Sequence, residues 1–144
     1  ILFAAHDLCL PDRLSLTGRI PPGSLVDRLR EADVFAFPTV SDAFGNALIE
    51  AMSCGLPVVT TDAGGMVEAV TDGREGFVVP PRDPAAMADA LVRLARDPDL
   101  RSRMGAAARE RVLADFRLED QVARFVEMFR AARERKSTPV ASAS

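Results

Sequence analysis

Three short apolar runs, separated by helix-forming segments, constrain the fold of this chain most strongly. They are Val34-Phe35-Ala36-Phe37, Val58-Val59-Thr60-Thr61 and Gly76-Phe77-Val78-Val79. Strands that are covered on both faces have unbroken apolar runs of this kind, whereas a strand with one face in water alternates. Because strands that alternate with helices pair in parallel through right-handed crossovers, the pattern predicts an α/β fold with a parallel sheet and flanking helices.

Helix signals fill the intervals between the runs. Ser24 follows a Pro-Pro-Gly loop and is predicted to cap a helix over residues 25–32. A second helix is predicted from about Gly45 to Cys54, because Gly55 and then a proline follow it.

The C-terminal part of the chain is predicted to be helical. A short helix is expected over residues 66–70, after two glycines. Asp83 and Asp97 each precede a proline, a pairing that places a capping carboxylate before a helix with proline in its first turn. After Phe116, apolar residues recur at helical spacing. They are Val122, Phe125, Val126 and Phe129.

The N-terminal segment is predicted to contain the end of a helix over residues 1–10 and a short strand over 14–17. A helix that begins at residue 1 without a cap leads us to expect an N-terminally truncated chain. The predicted organisation is therefore one domain over residues 1–135 and a flexible tail over 136–144.

Composition excludes several classes of function. The 18 Lys and Arg are mixed with 21 Asp and Glu, for a net charge of -3, which argues against a nucleic-acid binder. His6 is the only histidine, so a catalytic triad with a downstream His is excluded, and no metal-binding constellation is present. Cys9 and Cys54 have no metal-type spacing, and unpaired thiols suit a reducing cytosol. No apolar run approaches the roughly 20 residues of a membrane helix.

Ligands of open parallel sheets bind at the carboxyl ends of the strands, so the loops there are the candidate site. The middle loop reads P-T-V-S-D-A-F-G-N from Pro38 to Asn46. Gly45 and Asn46 open a helix, and the free N–H groups of a first helical turn favour an anion. The loop therefore predicts an anion-binding site.

Glu50 lies four residues after Asn46 and on the same helix face. It interrupts an otherwise apolar helix, so its carboxylate must be paired or must face the cleft. A ribose diol that donates to this carboxylate would satisfy it. A surface ion pair is the alternative interpretation of Glu50, and helix capping is the alternative for Asp42, which precedes Glu50 with seven residues between.

Four ordered sequence blocks resemble the family 4 glycosyltransferases, which have two Rossmann-like domains. The blocks are an acidic-x7-acidic spacing around F-G, then E-A-M-x-C-G-x-P-V-V, then G-G-x-x-E, then G-F-V-V-P-P-x-D. In that family they belong to the C-terminal, donor-binding domain. The resemblance covers roughly residues 5–133.

The resemblance implies a role for each candidate site residue. Glu50 would bind the ribose hydroxyls, and Asp42 would contact the donor sugar in place of the family's glutamate, from a side chain one methylene shorter. Gly18 and Arg19 would lie near the base. The remaining residues would surround the diphosphate and sugar, mainly through backbone groups; they are Pro38, Phe44, Gly45, Asn46 and Ala47.

The activity implied is a hexosyltransferase of carbohydrate biosynthesis that moves a sugar from a nucleoside diphosphate, of UDP or GDP type, to an acceptor hydroxyl with retention. No cofactor and no metal are implied. The family's basic residues for the diphosphate and its acceptor-binding domain would precede this chain. The implied location is cytoplasmic, with contact to the inner membrane face only through the missing domain.

Three alternatives stay open on the sequence. The chain could be a binding module for nucleotide sugars without catalysis. It could be a sugar-nucleotide epimerase of related architecture, although His6 is poorly placed for acid–base work. It could also be a flavodoxin-like receiver domain, which would lack the pairing of Asp42 with Glu50.

Overall fold

A parallel sheet organises the chain. In the computed structural model, which describes residues 13–41 and 45–137, three strands lie in the order β1-β2-β3 and pair in parallel. The strands are β1 (Phe35–Phe37), β2 (Val58–Thr61) and β3 (Gly76–Val79). The predicted α/β fold with a parallel sheet is confirmed.

Helices connect and cover the strands, and three further helices follow β3 in the described part of the chain. In the described ranges they are α1 (Pro22–Glu31), α2 (Asn46–Ser53), α3 (Met66–Ala69), α4 (Pro84–Arg96), α5 (Pro98–Asp115) and α6 (Leu118–Ser137). Asp83 and Asp97 cap α4 and α5 as predicted, because Oδ1 of each accepts a 2.9 Å hydrogen bond from the N–H three residues later. Across these ranges, no helix combines the length and the apolar character needed to cross a membrane.

The core lies on both faces of β2, whose residues are all buried. Val58 belongs to a cluster with residues of α2 and α5, and Val59 to a cluster with residues of α4. Successive strand residues point to opposite faces, so β2 is covered on both sides. This explains why its sequence is an unbroken apolar run.

The strand predicted over residues 14–17 is wrong. These residues have no regular secondary structure, and Leu14 and Leu16 are 39% and 53% exposed. A strand needs a neighbour for its backbone N–H and C=O groups. In the described ranges, the sheet contains no strand beside this segment.

The cap predicted at Ser24 is also wrong. Helix α1 begins at Pro22 with Pro21 as its N-cap, and no side chain caps it. Proline fits the first helical position because its missing N–H would have no intrahelical partner there. Ser24 instead lies inside the first turn, where its N–H donates to the Pro21 carbonyl at 3.0 Å.

Helices are predicted near both ends of the chain, and only the C-terminal one lies within the described residues. The helix predicted over residues 1–10 lies outside the described residues. Helix α6 is confirmed, and its predicted apolar stripe is exposed, with Phe125 at 56% and Phe129 at 68%. The helix continues through Ser137, and residues 138–144 lie outside the described part.

Glu75 is a fully buried carboxylate at the amino end of β3. Its Oε2 accepts a 2.8 Å hydrogen bond from the Thr71 N–H. Its Oε1 lies 3.4 Å from Nε of Arg74, a distance typical of an ion pair, but without the alignment of a hydrogen bond. A buried charge must be paired, and the paired carboxylate of Glu75 fixes the turn before β3. We therefore give Glu75 a structural role and not a ligand-binding one.

Arg82, between β3 and α4, has a left-handed backbone with φ of 61°. This region costs a residue with a side chain about 1–2 kcal/mol, whereas glycine enters it freely. We expect Arg82→Gly to raise the free energy of unfolding by about 0.5–1 kcal/mol, after the extra entropy of glycine in the unfolded chain is subtracted. Urea unfolding measures the change. Arg103→Gly, in the exposed interior of α5, is the control and should lose about 1 kcal/mol; a loss at Arg82 would contradict the prediction.

Candidate functional site

Side-chain hydrogen bonds join the end of β2 to the end of β1 and to the loop that follows β1. Thr61 Oγ1 donates to the Thr39 carbonyl at 2.6 Å, and Thr60 Oγ1 donates to the Phe37 carbonyl at 3.3 Å. Both bonds link the end of β2 to the chain leaving β1. The carboxyl edge of the sheet is therefore a connected surface, as expected of a ligand-binding edge in an open parallel sheet.

A first cavity, of about 350 Å³, lies at this edge, between the strand ends and α4. Pro38 is the predicted site residue that it contains. Its other walls are largely apolar and include Val40, Thr61, Pro80, Met87 and Leu91. We call this space the strand-end cavity.

Helix α2 begins at the position predicted for it. Gly45 is the N-cap, with φ of 56° and ψ of 56°, a left-handed conformation that glycine adopts without steric cost. Gly45 is buried, whereas Asn46 and Ala47, the first two helical residues, are exposed. The geometry of an α-helix leaves the N–H groups of such first residues without intrahelical acceptors, so they are available to an anion. The predictions for Asp42 and Phe44 lie outside the described residues.

Glu50 is exposed on α2 and lines a second cavity, of about 370 Å³. Leu25 and Leu29 of α1 form an apolar wall of this cavity, and Arg109 comes from α5. We call it the α1–α2 cavity; its remaining lining residues are Val26, Arg30, Ser53 and Cys54. No ion pair or side-chain hydrogen bond of Glu50 occurs within the described part of the chain, so its carboxylate can accept from a ligand.

Gly18 and Arg19 are exposed and lie just before α1. Gly18 has φ of 62°, which explains a glycine at this turn. The turn leads into the helix whose residues Leu25 and Val26 line the α1–α2 cavity. These two predicted residues are therefore close in sequence to the wall that faces Glu50.

The predicted site residues are divided between two cavities. Pro38 lines the strand-end cavity, Glu50 lines the α1–α2 cavity, and neither of these two contains both. Sequence reasoning missed Leu25, Arg30 and Arg109. No spacing rule could have found Arg109, because its neighbours on α2 are brought to it only by helix packing.

Contacts between α5 and the end of α2 hold the helix that carries Glu50. The Arg109 guanidinium donates to the Ser53 carbonyl at 3.1 Å, and Ser53 Oγ donates to the Glu50 carbonyl at 2.7 Å. Gly105 lets the two helices approach closely, since a Cβ on it would lie 2.1 Å from the Gly55 carbonyl oxygen. These contacts within the protein hold the backbone of Glu50 in place.

Comparison with protein families gives a match over residues 3–111, to the model described as "Glycosyl transferases group 1". Among curated proteins, D-inositol 3-phosphate glycosyltransferase of Corynebacterium jeikeium is 46% identical over 85 residues, which are 59% of this chain and 20% of that protein. The enzyme of the same name from Corynebacterium urealyticum is 39% identical over 111 residues, or 77% of this chain and 26% of that protein. The chain thus spans about a fifth to a quarter of the curated relatives' length.

Solved structures give the same fold. Sucrose-phosphate synthase from Thermosynechococcus elongatus superposes with a TM-score of 0.86 and 32% identity, over 92% of this chain and 33% of that one. HepE of Anabaena, in complex with UDP, superposes with a TM-score of 0.82 and 25% identity, over 88% of this chain and 35% of that one.

Proposed function

The chain belongs to the group 1 glycosyl transferases, and from this premise we propose that the whole protein transfers a sugar from a nucleoside diphosphate to an acceptor hydroxyl, with this chain binding the donor. The observation that carries the proposal is Glu50, an unpaired carboxylate in the described structure that borders a cavity with an apolar wall. Such a cavity combines the two contacts that a nucleoside needs.

The nucleoside would occupy the α1–α2 cavity. The two ribose hydroxyls would donate to the Glu50 carboxylate, and charge-assisted hydrogen bonds of this kind contribute about 1.5–3 kcal/mol each. The base would lie near Gly18 and Arg19, at the turn that leads into α1, and would pack against Leu25 of that helix. The volume of about 370 Å³ is at the lower end of the range of ligand pockets and suits a nucleoside.

The diphosphate would bind at the start of α2. The N–H groups of Asn46 and Ala47 would donate to its oxygens, and the helix dipole favours negative charge there. The left-handed backbone of Gly45 turns the chain into the helix at this point. The contact of Asp42 with the donor sugar remains part of the proposal, together with the backbone contact of Phe44.

Charge stabilisation would supply most of the catalysis by this half of the site. As the bond from the anomeric carbon to the phosphate oxygen breaks, negative charge grows on the diphosphate, and donors already aimed at it need no reorganisation. Retention of configuration, with the leaving phosphate assisting on the same face, is proposed from the resemblance. Such a mechanism needs no enzyme nucleophile.

The remainder of the site would come from polypeptide outside this sequence. Relatives are about four to five times longer than the matched part, since the match covers 20% to 26% of them. We propose that a second domain binds the acceptor and supplies basic side chains for the diphosphate. We also propose that the whole protein acts in the cytoplasm. A phosphorylated polyol is the first acceptor to test, because the relatives carry the name D-inositol 3-phosphate glycosyltransferase.

Thermal unfolding of this chain with UDP, GDP and ADP tests the donor site. We expect UDP or GDP to raise the melting temperature, since a ligand present at 100 times its Kd adds about 2.7 kcal/mol to the folded state. The matched control is 2′,3′-dideoxy-UDP, which retains base and diphosphate but lacks the diol, and should give a much smaller shift. Equal shifts with and without the diol would remove Glu50 from the nucleoside site, and no shift with any nucleotide would reject the proposal.

For this chain by itself, a second candidate function is nucleotide-sugar binding without catalysis. The small part of the relatives that the chain covers favours this binding-only role. Incubation with UDP-glucose separates the two candidates. Release of glucose by this chain alone would contradict a binding-only role, whereas binding without release would support it.

A further inference from the structure

Helix α2 is short, and its two ends carry different parts of the proposed site. Its 8 residues form about two turns. The N–H groups of Asn46 and Ala47 belong to the first turn, and Glu50 begins the last turn, which ends at Ser53. The end of a helix leaves carbonyl groups without intrahelical donors, and a cation is favourable there. The last turn of α2 contains no basic residue, so this helix does not supply the cation itself.

Arg109 of α5 supplies a cation to this end of α2. Its Nη1 donates a 3.1 Å hydrogen bond to the Ser53 carbonyl. The Ser53 hydroxyl in turn donates to the Glu50 carbonyl at 2.7 Å, and the Cys54 N–H donates to the same carbonyl at 3.2 Å. Arg109 is therefore connected to the backbone of Glu50 through a single residue. Because the end of so short a helix unwinds easily, this bond affects how often the turn that bears Glu50 is formed.

The core holds only the inner face of α2. Leu48, Ala51 and Met52 are fully buried, so they keep the helix on the domain whether or not Arg109 is present. Glu50 and Ser53 lie on the outer face and are exposed. The bond from Arg109 therefore acts on the face that core packing leaves free, and its loss should affect the Glu50 side of the helix more than the folding of the domain.

We propose that Arg109 is a positioning residue for the ribose site, which holds the last turn of α2 so that the Glu50 carboxylate stays within reach of the diol. This inference rests on the proposed function, because it takes Glu50 as the group that binds ribose. Arg109 itself needs no contact with the nucleotide. When the binding-competent state is only partly populated, the apparent Kd rises by the inverse of that fraction. Loss of Arg109 therefore weakens the binding of those ligands that use Glu50.

Titration calorimetry with UDP and 2′,3′-dideoxy-UDP tests this role. Arg109→Ala should weaken UDP binding about three- to tenfold, which corresponds to a turn formed about a third to a tenth of the time. Binding of 2′,3′-dideoxy-UDP, which lacks the diol, should change less than about twofold. The same substitution in the Glu50→Ala chain should also change UDP binding less than about twofold, because the group that Arg109 positions is gone. The matched control is Arg103→Ala, which removes an exposed arginine of the same helix and should bind both ligands like the parent.

Two further variants separate the charge of Arg109 from the bulk of its side chain. Arg109→Lys keeps a cationic donor and should retain most of the affinity for UDP, whereas Arg109→Met keeps an extended side chain without a donor and should bind like Arg109→Ala.

Amide hydrogen exchange of the ligand-free chain gives a readout that needs no nucleotide. The Cys54 N–H, which donates to the Glu50 carbonyl, should exchange faster in Arg109→Ala than in the parent, and at the parent's rate in Arg103→Ala.

The contrary results are distinct. Equal losses for UDP and 2′,3′-dideoxy-UDP would overturn the inference, because Arg109 would then touch another part of the ligand or support the fold as a whole. Unchanged UDP affinity, or unchanged exchange at Cys54, would overturn it as well. If Arg109→Ala does not fold by circular dichroism, Ser53→Ala, which removes the hydroxyl bond to Glu50, must show the same diol-dependent loss. A parent chain that binds UDP no more tightly than 2′,3′-dideoxy-UDP would instead reject the proposed role of Glu50, and this inference with it.

Discussion

Gly76→Ala is expected to destabilise the native fold severely. A Cβ at this position would lie 1.8 Å from the carbonyl oxygen of Val58, and 2.7 and 2.8 Å from its carbonyl carbon and nitrogen. The atoms it meets are backbone of β2, which is buried on both faces and cannot move aside. Overpacking of this kind costs about 3 kcal/mol or more, a large part of the 5–15 kcal/mol that holds a typical domain together.

Urea unfolding followed by circular dichroism measures this effect. Gly23→Ala is the matched control, because Gly23 lies in α1 and its added Cβ would meet no atom within 4 Å apart from its chain neighbours and the backbone of its own helix. Alanine is the better helix former by up to about 1 kcal/mol, so the control should be neutral or slightly more stable. A Gly76→Ala chain with the midpoint of the parent would show that β2 and β3 are not as close as described.

The parts of the fold that local chemistry determines could be predicted from the sequence. The bounds of β2 follow from its apolar run, and the starts of α4 and α5 follow from Asp83 and Asp97, whose carboxylates reach N–H groups three residues away. The start of α2 at Asn46 follows from Gly45 for a different local reason, since glycine adopts the left-handed backbone of this N-cap without steric cost. Each of these signals acts over fewer than five residues.

The parts that depend on a neighbour could not be predicted. The segment over residues 14–17 has the composition of a strand, but Leu14 and Leu16 are exposed and no described strand lies beside them. Ser24 is a good capping residue, yet the proline at position 22 starts the helix earlier. Family membership decides against a receiver domain, which the apolar strand pattern alone left open.

The candidate site shows the same division. Glu50 could be singled out because it is a carboxylate in an apolar helix. Its surroundings could not, because Ser53 and Arg109 are 56 residues apart in the chain and meet only through the packing of α2 against α5. The sequence therefore singles out Glu50 as the candidate binding group, and the packing determines which protein groups surround it.

Glu50→Ala is expected to have a large effect on nucleotide binding. If both ribose hydroxyls donate to this carboxylate, its removal weakens UDP or GDP binding at least tenfold and up to a hundredfold, at about 1.4 kcal/mol per tenfold. Stability should change little, because Glu50 is exposed and its side chain makes no ion pair in the described structure. Loss of binding together with loss of folding would therefore not fit a ligand-binding role.

Titration calorimetry measures this effect. Glu50→Ala should lower the affinities of UDP, GDP and ADP by the same factor, because all three carry the same ribose. Glu110→Ala, which removes an exposed carboxylate of α5, is the matched control and should bind like the parent. Affinities for Glu50→Ala within twofold of the parent would show that the carboxylate does not touch the nucleotide, and the donor site would then have to be sought at the strand-end cavity.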